Sequence, residues 1–284
     1  MTIAISTKIG EGLVYAADST TSYFETFDAA GGPQSRLIQS FHHARKLVQL
    51  ETYPIGILTF GLGLIGTRNV ESLVTEFERS LSPYAADAVY SVQDVAARLQ
   101  AFIKDKYDAA HPAPEPPLPG LPAPTDTRPA MGVVMGGFSA NEFHPDEWLM
   151  TFPDGQLVRP RNDPSGDFGV LWWGATIPLA RMVLGCDPGL IRWLVDQGVE
   201  ENQARSAYEE VVGQHQWTIY FDGMPVQDAI DLSVFLCNVA IGHSRFVVGP
   251  PICGGHVDVA TITHDGFSWV RQKKTTVKGD SLFF

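Results

Sequence analysis

The sequence has few cysteines, and their arrangement excludes two kinds of structural support. Only three occur in 284 residues, at Cys186, Cys237 and Cys253, and no two have Cys-x-x-Cys spacing. An odd number of cysteines in separate segments does not fit a disulfide framework or a zinc site. We therefore expect a cytoplasmic protein whose core is held together by packing.

Basic residues and long apolar runs are also scarce. Twenty Lys and Arg stand against 32 Asp and Glu, a formal net charge of −12. Without a basic cluster, nucleic acids and anionic membranes are poor partners. No apolar run approaches the roughly 20 residues of a membrane helix, and the first residues lack the basic start and apolar centre of a signal peptide. We expect neither export nor a membrane segment.

The eight histidines are scattered along the chain. None forms the His-Glu-x-x-His pattern that places two metal ligands on one helix face. We therefore expect no metal site.

The order of the periodic segments predicts the fold class. Strands over the first 60 residues are followed by two amphipathic helices, further strands, further helices and a closing hairpin. This order predicts an α+β fold, a four-layer α/β/β/α sandwich of two antiparallel sheets flanked by helices. The predicted segments are strands at 2–8, 13–17, 46–50 and 55–60, helices at 70–81 and 92–102, strands at 131–136, 148–152, 156–158 and 168–173, helices at 177–197, 201–213 and from 226, and a hairpin at 256–271.

Two of the predicted helices have special features. The helix at 177–197 should be broken near Asp187-Pro188, because proline interrupts a helix. The helix beginning near Val226 has apolar residues on several faces, so we expect it to be buried nearly all round.

We expect a single domain, residues 1–284, carrying two insertions. Residues 109–130 include a stretch so rich in proline that it can form neither a helix nor an interior strand. Residues 23–43 form a long connection between two predicted strands and contain Gly31-Gly32-Pro33.

The second residue is a candidate nucleophile. A small residue at this position usually permits removal of Met1, which would leave Thr2 with a free α-amine beside its hydroxyl. Such an amine has an unperturbed pKa of roughly 7.7 to 8.0, so it can accept the hydroxyl proton as the oxygen attacks a carbonyl. Many chains begin Met-Thr, so Thr2 alone does not indicate a nucleophile, and the motifs that follow it must be considered.

Those motifs follow Thr2 in a specific order. A glycine turn and a second strand lead to Ala17-Asp18-Ser19, a lysine opens the strand in RKLVQL, and the apolar strand in GILTFGLGLIG ends at Gly61-Leu62-Gly63. The series resembles proteasome β subunits and their bacterial single-subunit relatives, which are N-terminal nucleophile hydrolases. Met131–Gly137 and Trp173-Gly174-Ala175-Thr176 continue the resemblance.

The resemblance implies a role for each matching residue. Thr2 is the nucleophile, and its amine relays protons. Lys46 lies beside the threonine oxygen and favours its deprotonation, while Asp18 pairs with the lysine and orients it. Because the 23–43 insertion changes the spacing to the lysine, Arg45 is a competing cation.

The same resemblance assigns Gly61 as the backbone donor to the oxyanion of the tetrahedral intermediate. Gly63 is the alternative if the register is shifted by two residues. A glycine at a strand end also serves tight turns, so a structural role stays open for Gly61.

The sequence departs from the family pattern at two places. Ala175 replaces a serine near the threonine amine, so a proton-handling hydroxyl would have to come from Ser19, Thr176 or water. Pro250 and Cys253 occupy polar positions of a later glycine turn. Cys253 could lie near the nucleophile, although a buried thiol more often serves as a small apolar side chain.

The resemblance implies a threonine peptidase that hydrolyses peptide bonds without a cofactor. It also implies peptide or unfolded-protein substrates, a homo-oligomeric ring with inward-facing sites, and a regulatory ATPase as a possible partner. Two alternatives stay open. One is a catalytically degenerate ring-forming scaffold, and the other is a threonine-dependent acyl transferase or peptide ligase.

Overall fold

Two five-stranded antiparallel sheets form the centre of the molecule, whose computed structural model describes residues 2–29, 32–81, 89–115 and 126–274. The first sheet has, in spatial order, β12 (Gly169–Gly174), β1 (Ile3–Ile9), β2 (Gly12–Ala17), β13 (Asp258–Thr263) and β14 (Gly266–Arg271). The second has β11 (Gln156–Val158), β10 (Asp146–Phe152), β9 (Met131–Gly137), β6 (Ile55–Gly61) and β5 (Leu47–Leu50).

Helices cover the outer face of each sheet. The second sheet packs against α1 (Val70–Ser80) and α2 (Val92–Ala110). The first packs against α6 (Val226–Phe246) and against the short helix α3 (Ile177–Leu179) with the π-helical turn Ala180–Leu184 that continues it. Two more helices, α4 (Gly189–Asp196) and α5 (Glu201–His215), contact each other. In the described ranges, no helix is both long and apolar enough to cross a membrane.

The two sheets bury a shared apolar layer between them. Strand β1 turns Ile3, Ile5 and Ile9 toward the helices and Ala4 toward the second sheet, because successive side chains of a strand alternate. Each fully buried large aliphatic side chain contributes about 1.5–3 kcal/mol. The predicted four-layer α/β/β/α sandwich is confirmed. The layer between the sheets consists of Ala4, Leu13, Tyr15, Ala17, Leu47, Leu58, Val134, Phe138, Ala260 and Ile262.

Two paired strands, a β-hairpin, make up most of the 23–43 insertion. Strand β3 (Thr21–Ala29) pairs antiparallel with β4 (Gly32–Phe41), with a register shift after Tyr23. Among the described residues, the pair is a separate two-stranded sheet, bonded to neither five-stranded sheet. A second small pair joins β7 (Leu64–Ile65) and β8 (Arg68–Asn69).

The expectation that the helix from Val226 is buried nearly all round is wrong. Helix α6 buries Ser233, Leu236 and Ala240, whereas the side chain of Phe235 is 46% exposed. As an outer layer the helix contacts the sheet on one side only, so its remaining apolar residues face outward. The predicted break before Asp187-Pro188 is present, since the segment ends at Gly185, whose φ is +84°.

The 109–130 insertion is described only in part. Helix α2 continues to Ala110, and residues 111–115 and 126–130 are neither helix nor strand, as the proline content predicts. The rest of the insertion, 116–125, lies outside the described residues. The assignment of a single domain stays a prediction.

Candidate active site

Thr2 lies directly before β1, and the backbone around it is closely held. The amide of Ala175 donates to the Thr2 carbonyl at 2.7 Å, and the amide of Ile3 donates to Asp18 Oδ1 at 2.9 Å. Gly174 approaches so closely that an added Cβ would lie 1.8 Å from the Thr2 carbonyl oxygen, and its φ is +92°. Only glycine fits there, so the end of β12 fixes the position of Thr2.

Asp18 connects four parts of the molecule through one buried carboxylate. Its Oδ1 accepts from the amide of Ile3 and, at 2.7 Å, from Nζ of Lys46. Its Oδ2 accepts from the amides of Thr20, at 3.1 Å, and Gly254, at 2.8 Å. Asp18 thus caps backbone amides, as a strand-end aspartate does, and also pairs with the lysine.

Lys46 comes from the other sheet. It immediately precedes β5, its carbonyl accepts from the amide of Thr59 at 2.8 Å, and its side chain is almost fully buried. Burial lowers the pKa of Lys46 from its ordinary value of 10.5, while the negative charge of Asp18 acts in the opposite direction. Arg45 instead pairs with Glu71 at 2.6 Å. The structure therefore brings Lys46, rather than Arg45, to Asp18.

Thr2, Lys46 and Gly61 line one open cleft of about 840 Å³. Gly61 ends β6 with φ +81°, and an added Cβ would lie 2.5 Å from the Ala130 carbonyl oxygen, so the backbone itself requires glycine there. Gly63 also lines the cleft, but its φ is not positive and a Cβ would meet Thr21 at an ordinary 3.5 Å. The structural role considered for Gly61 is therefore present, and Gly61 borders the same cleft as Thr2.

Ser19 and Thr176 are not brought into the cleft. The hydroxyl of Ser19 donates to the carbonyl of His42 and accepts from the amide of His256, both at 2.9 Å. Thr176 begins α3 and bonds through its backbone amide and carbonyl. Neither side chain lines the cleft. The hydroxyl that Ala175 lacks is thus not replaced by either residue.

Cys253 behaves as a buried apolar residue. Its Sγ donates to the carbonyl of Ala240 at 3.4 Å, and its amide donates to Ser244 Oγ at 3.2 Å. Burial, reinforced by the negative charge of Asp18, raises the pKa of Cys253 to about 11, so the thiol is protonated at neutral pH. It does not line the cleft, and Pro250 is exposed.

Metal ligands are not clustered in the parts of the chain that the structure describes. No group of three or more His, Cys, Asp or Glu side chains there could hold a metal ion. The rings of His43 and His256 have centroids 6.1 Å apart, but two histidines alone do not make a site. All three cysteines are free thiols.

The aromatic residues that the hairpin contributes to the cleft were not among the predicted site residues. Tyr23, Phe24 and Phe41 line it together with Thr2. The signal was present, because β-branched and aromatic residues on both sides of Gly31-Gly32 are typical of two paired strands and a turn.

Comparison with known proteins bears on the fold. No protein-family profile matches the sequence, and no curated protein is similar to it. Among solved structures, the chain is similar to the Gly-1 mutant of Anbu from Hyphomicrobium sp. strain MC1, with a TM-score of 0.52 and 14% identity, over 99% of this chain and 90% of that one. Anbu is a bacterial proteasome-like N-terminal nucleophile hydrolase. At this identity the similarity shows that the chain has the proteasome-like N-terminal nucleophile hydrolase fold.

Proposed function

We propose that this protein is a threonine-type amide hydrolase whose nucleophile is Thr2, exposed by removal of Met1. One observation carries the proposal. Lys46 is ion-paired at 2.7 Å with Asp18, which also binds the first amide of β1, and Lys46 and Thr2 line the same cleft. A cation held beside an N-terminal threonine is the arrangement that activates a hydroxyl without histidine.

The reaction uses the α-amine of Thr2 as its base. The amine takes the hydroxyl proton as the oxygen bonds to the substrate carbonyl, and the Lys46 ammonium favours the deprotonated oxygen. The amide of Gly61 stabilises the oxyanion, a donor whose loss typically costs about 2.7–4 kcal/mol. The amine then protonates the departing nitrogen as the C–N bond breaks, and water hydrolyses the resulting ester. Because Ala175 offers no hydroxyl, water relays protons to the amine.

The buried ion pair argues against a degenerate scaffold. Withdrawing two charges from water has an unfavourable desolvation energy of several kcal/mol per ion, which pairing offsets only with good geometry. A protein kept for assembly alone has no need of Asp18 and Lys46 beside an open cleft. We therefore favour the enzyme over the scaffold.

Substrates and partners follow from the same proposal. The cleft admits peptides or unfolded segments, and the protein acts in the cytoplasm without nucleic acid or membrane partners. Outward-facing apolar side chains favour assembly with further copies of the chain, in a homo-oligomeric ring. A regulatory ATPase that delivers substrate is part of the same expectation. The exposed apolar residues include Trp193, Trp217, Phe235, Phe246 and Val248.

Intact mass spectrometry tests the proposal directly. The protein is measured with and without an epoxyketone or β-lactone that reacts with N-terminal threonine, beside a Thr2→Ala control. A chain without Met1 that gains one adduct, mapped to Thr2, is expected, and the control should gain none. Retention of Met1 with no adduct would overturn the proposal. Competition between water and an added amine for the acyl-enzyme then separates hydrolysis from ligation.

A further inference from the structure

The β3–β4 hairpin is anchored beside the candidate catalytic residues. At the start of β3, the amide of Thr20 donates to Asp18, and Thr20 Oγ1 lies 2.9 Å from Nδ1 of His42. After β4, the amide of Ala44 donates to the carbonyl of Ser19 at 2.9 Å, and the Ser19 hydroxyl donates to the His42 carbonyl. One end of the hairpin is therefore fixed at Asp18, which binds Lys46, and the other end is fixed at the adjoining Ser19.

The anchored end of the hairpin presents aromatic side chains to the cleft. Tyr23 and Phe41 form an edge-to-face pair, with centroids 5.9 Å apart, and Phe24 lines the cleft beside them. Phe60 of β6 and Leu62, just after its end, line the same cleft. Phe24 is 41% exposed and Phe41 is 54% exposed, so both rings have apolar area that a bound group could cover.

The charged side chains that border this cleft have partners within the protein. Lys46 binds Asp18, and Arg45 binds Glu71, which also lines the cleft. An incoming charged side chain would have to compete with these ion pairs. An apolar side chain can cover the aromatic and aliphatic part of the lining without displacing either ion pair.

We propose that the inserted hairpin is the specificity element of the site, and that the preferred substrates are peptides with a bulky aromatic or branched aliphatic residue adjoining the scissile amide. The hairpin contributes aromatic residues to the lining of the cleft, and Phe60, Leu62 and Leu64 are among its other apolar residues. The cleavage of these peptides rests on the proposed function, whereas their binding does not.

The test measures binding without chemistry. Fluorescently labelled peptides that differ at one position (Leu, Phe, Glu or Lys) are titrated against a Thr2→Ala background and followed by anisotropy. The Leu and Phe peptides should bind roughly tenfold more tightly than the Glu and Lys peptides, as expected for a large apolar side chain that leaves water. Equal binding of all four peptides would overturn the proposal.

Variants of the hairpin locate the effect. Phe41→Ala and Phe24→Ala should each remove most of the preference for Leu and Phe peptides while leaving binding of the Glu peptide unchanged. Phe27→Ala is the matched control, because Phe27 is 42% exposed on the same hairpin but does not line the cleft. A preference that survives both Phe41→Ala and Phe24→Ala, or that falls equally with Phe27→Ala, would contradict the assignment.

Two further measurements separate the remaining outcomes. In the protein with Thr2 intact, absence of both adduct and turnover alongside retained peptide preference would refute the proposed function but leave the specificity element in place. Sedimentation of the Phe41→Ala variant examines the other possible occupant, a second copy of the chain. If the variant dissociates an assembly and peptide preference does not change, the hairpin is an interface and the proposal fails.

Discussion

At the scale of single residues, Asp18 binds several groups of the candidate site at once. Four donors converge on its two oxygens: three backbone amides and the ammonium of Lys46. Asp18→Asn keeps the shape but turns an NH₂ group toward two of these donors, so we expect a loss of about 1–3 kcal/mol in unfolding free energy. Turnover should fall roughly 100-fold or more, because Lys46 loses its orientation. Urea denaturation and peptide hydrolysis measure the two effects.

Asp196→Asn is the matched control, since Asp196 is exposed at the end of α4. It should change neither quantity. If Asp18→Asn proves as stable and active as the parent, the four donors do not depend on a carboxylate.

The pH dependence of turnover also belongs to single residues. The Thr2 amine must be neutral to accept a proton, so activity should rise as pH increases through roughly 7.7–8.0, its unperturbed pKa. Lys46 must be charged, and burial lowers its pKa below 10.5, so activity should fall as pH rises through that lowered value. A bell-shaped profile of kcat/KM is expected, with a basic limb below pH 10.5.

Lys46→Arg separates the two limbs of this profile, because guanidinium stays charged throughout the range. Its residual activity should retain the acidic limb and lose the basic one. A basic limb that persists unchanged in this variant would assign that limb to another group.

Individual site residues were predictable to the extent that local sequence decides their position. Asp18 follows a strand and Lys46 begins one, so the sequence motif predicts the position of both. Only the structure distinguishes Lys46 from Arg45 as the partner of Asp18. The position of Ser19 could not be predicted in this way, because its hydroxyl bonds to His42 and His256, which are distant in sequence. Long-range hydrogen bonds of this kind leave no local pattern.

At the scale of secondary-structure elements, the close approach of β12 to β1 positions Thr2, the proposed nucleophile. Gly174→Ala would set a Cβ 1.8 Å from the Thr2 carbonyl oxygen at a φ of +92°. We expect a loss of at least about 1–3 kcal/mol from the backbone conformation alone, and displacement of Thr2 should reduce labelling by an epoxyketone. Thermal unfolding and the rate of adduct formation report these effects.

Gly198→Ala controls for the backbone conformation, because Gly198 has φ +88° and no atom within 4 Å of an added Cβ. It should lose stability through strain but keep the full labelling rate. Equal loss of labelling in both variants would show that strain at a positive φ, rather than contact with Thr2, is responsible.

Elements whose apolar residues follow one regular spacing were predicted correctly. Elements without such a regular spacing were not. The strands and helices of the four layers have apolar residues at a period of 2 or 3.6, which fixes their type. The β3–β4 hairpin has exposed aromatic residues and no buried face among its described residues, so its sequence lacks the regular apolar alternation that predicts a strand. Helix α6 has apolar residues such as Phe235 on its outward face, and the sequence therefore predicts a helix that is buried on all sides.

At the scale of the whole molecule, a buried polar cluster joins the two sheets. Glu147 of β10 accepts from Ser6 at 2.6 Å and from Tyr15 at 2.9 Å, both on the first sheet. Its other oxygen accepts from Arg161 at 2.6 Å, and burial, reinforced by the charge of Glu147, raises the pKa of Tyr15 well above its usual range. We expect Glu147→Gln to lower the unfolding free energy by about 3–5 kcal/mol, because it leaves the arginine buried and unpaired.

The control is Glu201→Gln, which breaks the exposed pair with Arg205. Exposed pairs contribute about 0–1 kcal/mol, so its denaturation midpoint should barely move. If the two variants lose equal stability, the buried cluster does not join the sheets more strongly than a surface pair does.

The candidate site draws Thr2 and Asp18 from one sheet and Lys46 and Gly61 from the other. Its geometry therefore depends on the alignment of two layers that touch mainly through side chains. A displacement of about 1 Å can cost a catalytic site 100-fold in rate. Hydrostatic pressure or mild heating that shifts one sheet relative to the other should therefore abolish turnover before the helices and strands are lost. Circular dichroism should remain unchanged under these conditions. The rate of catalysis would then report the alignment of the two sheets.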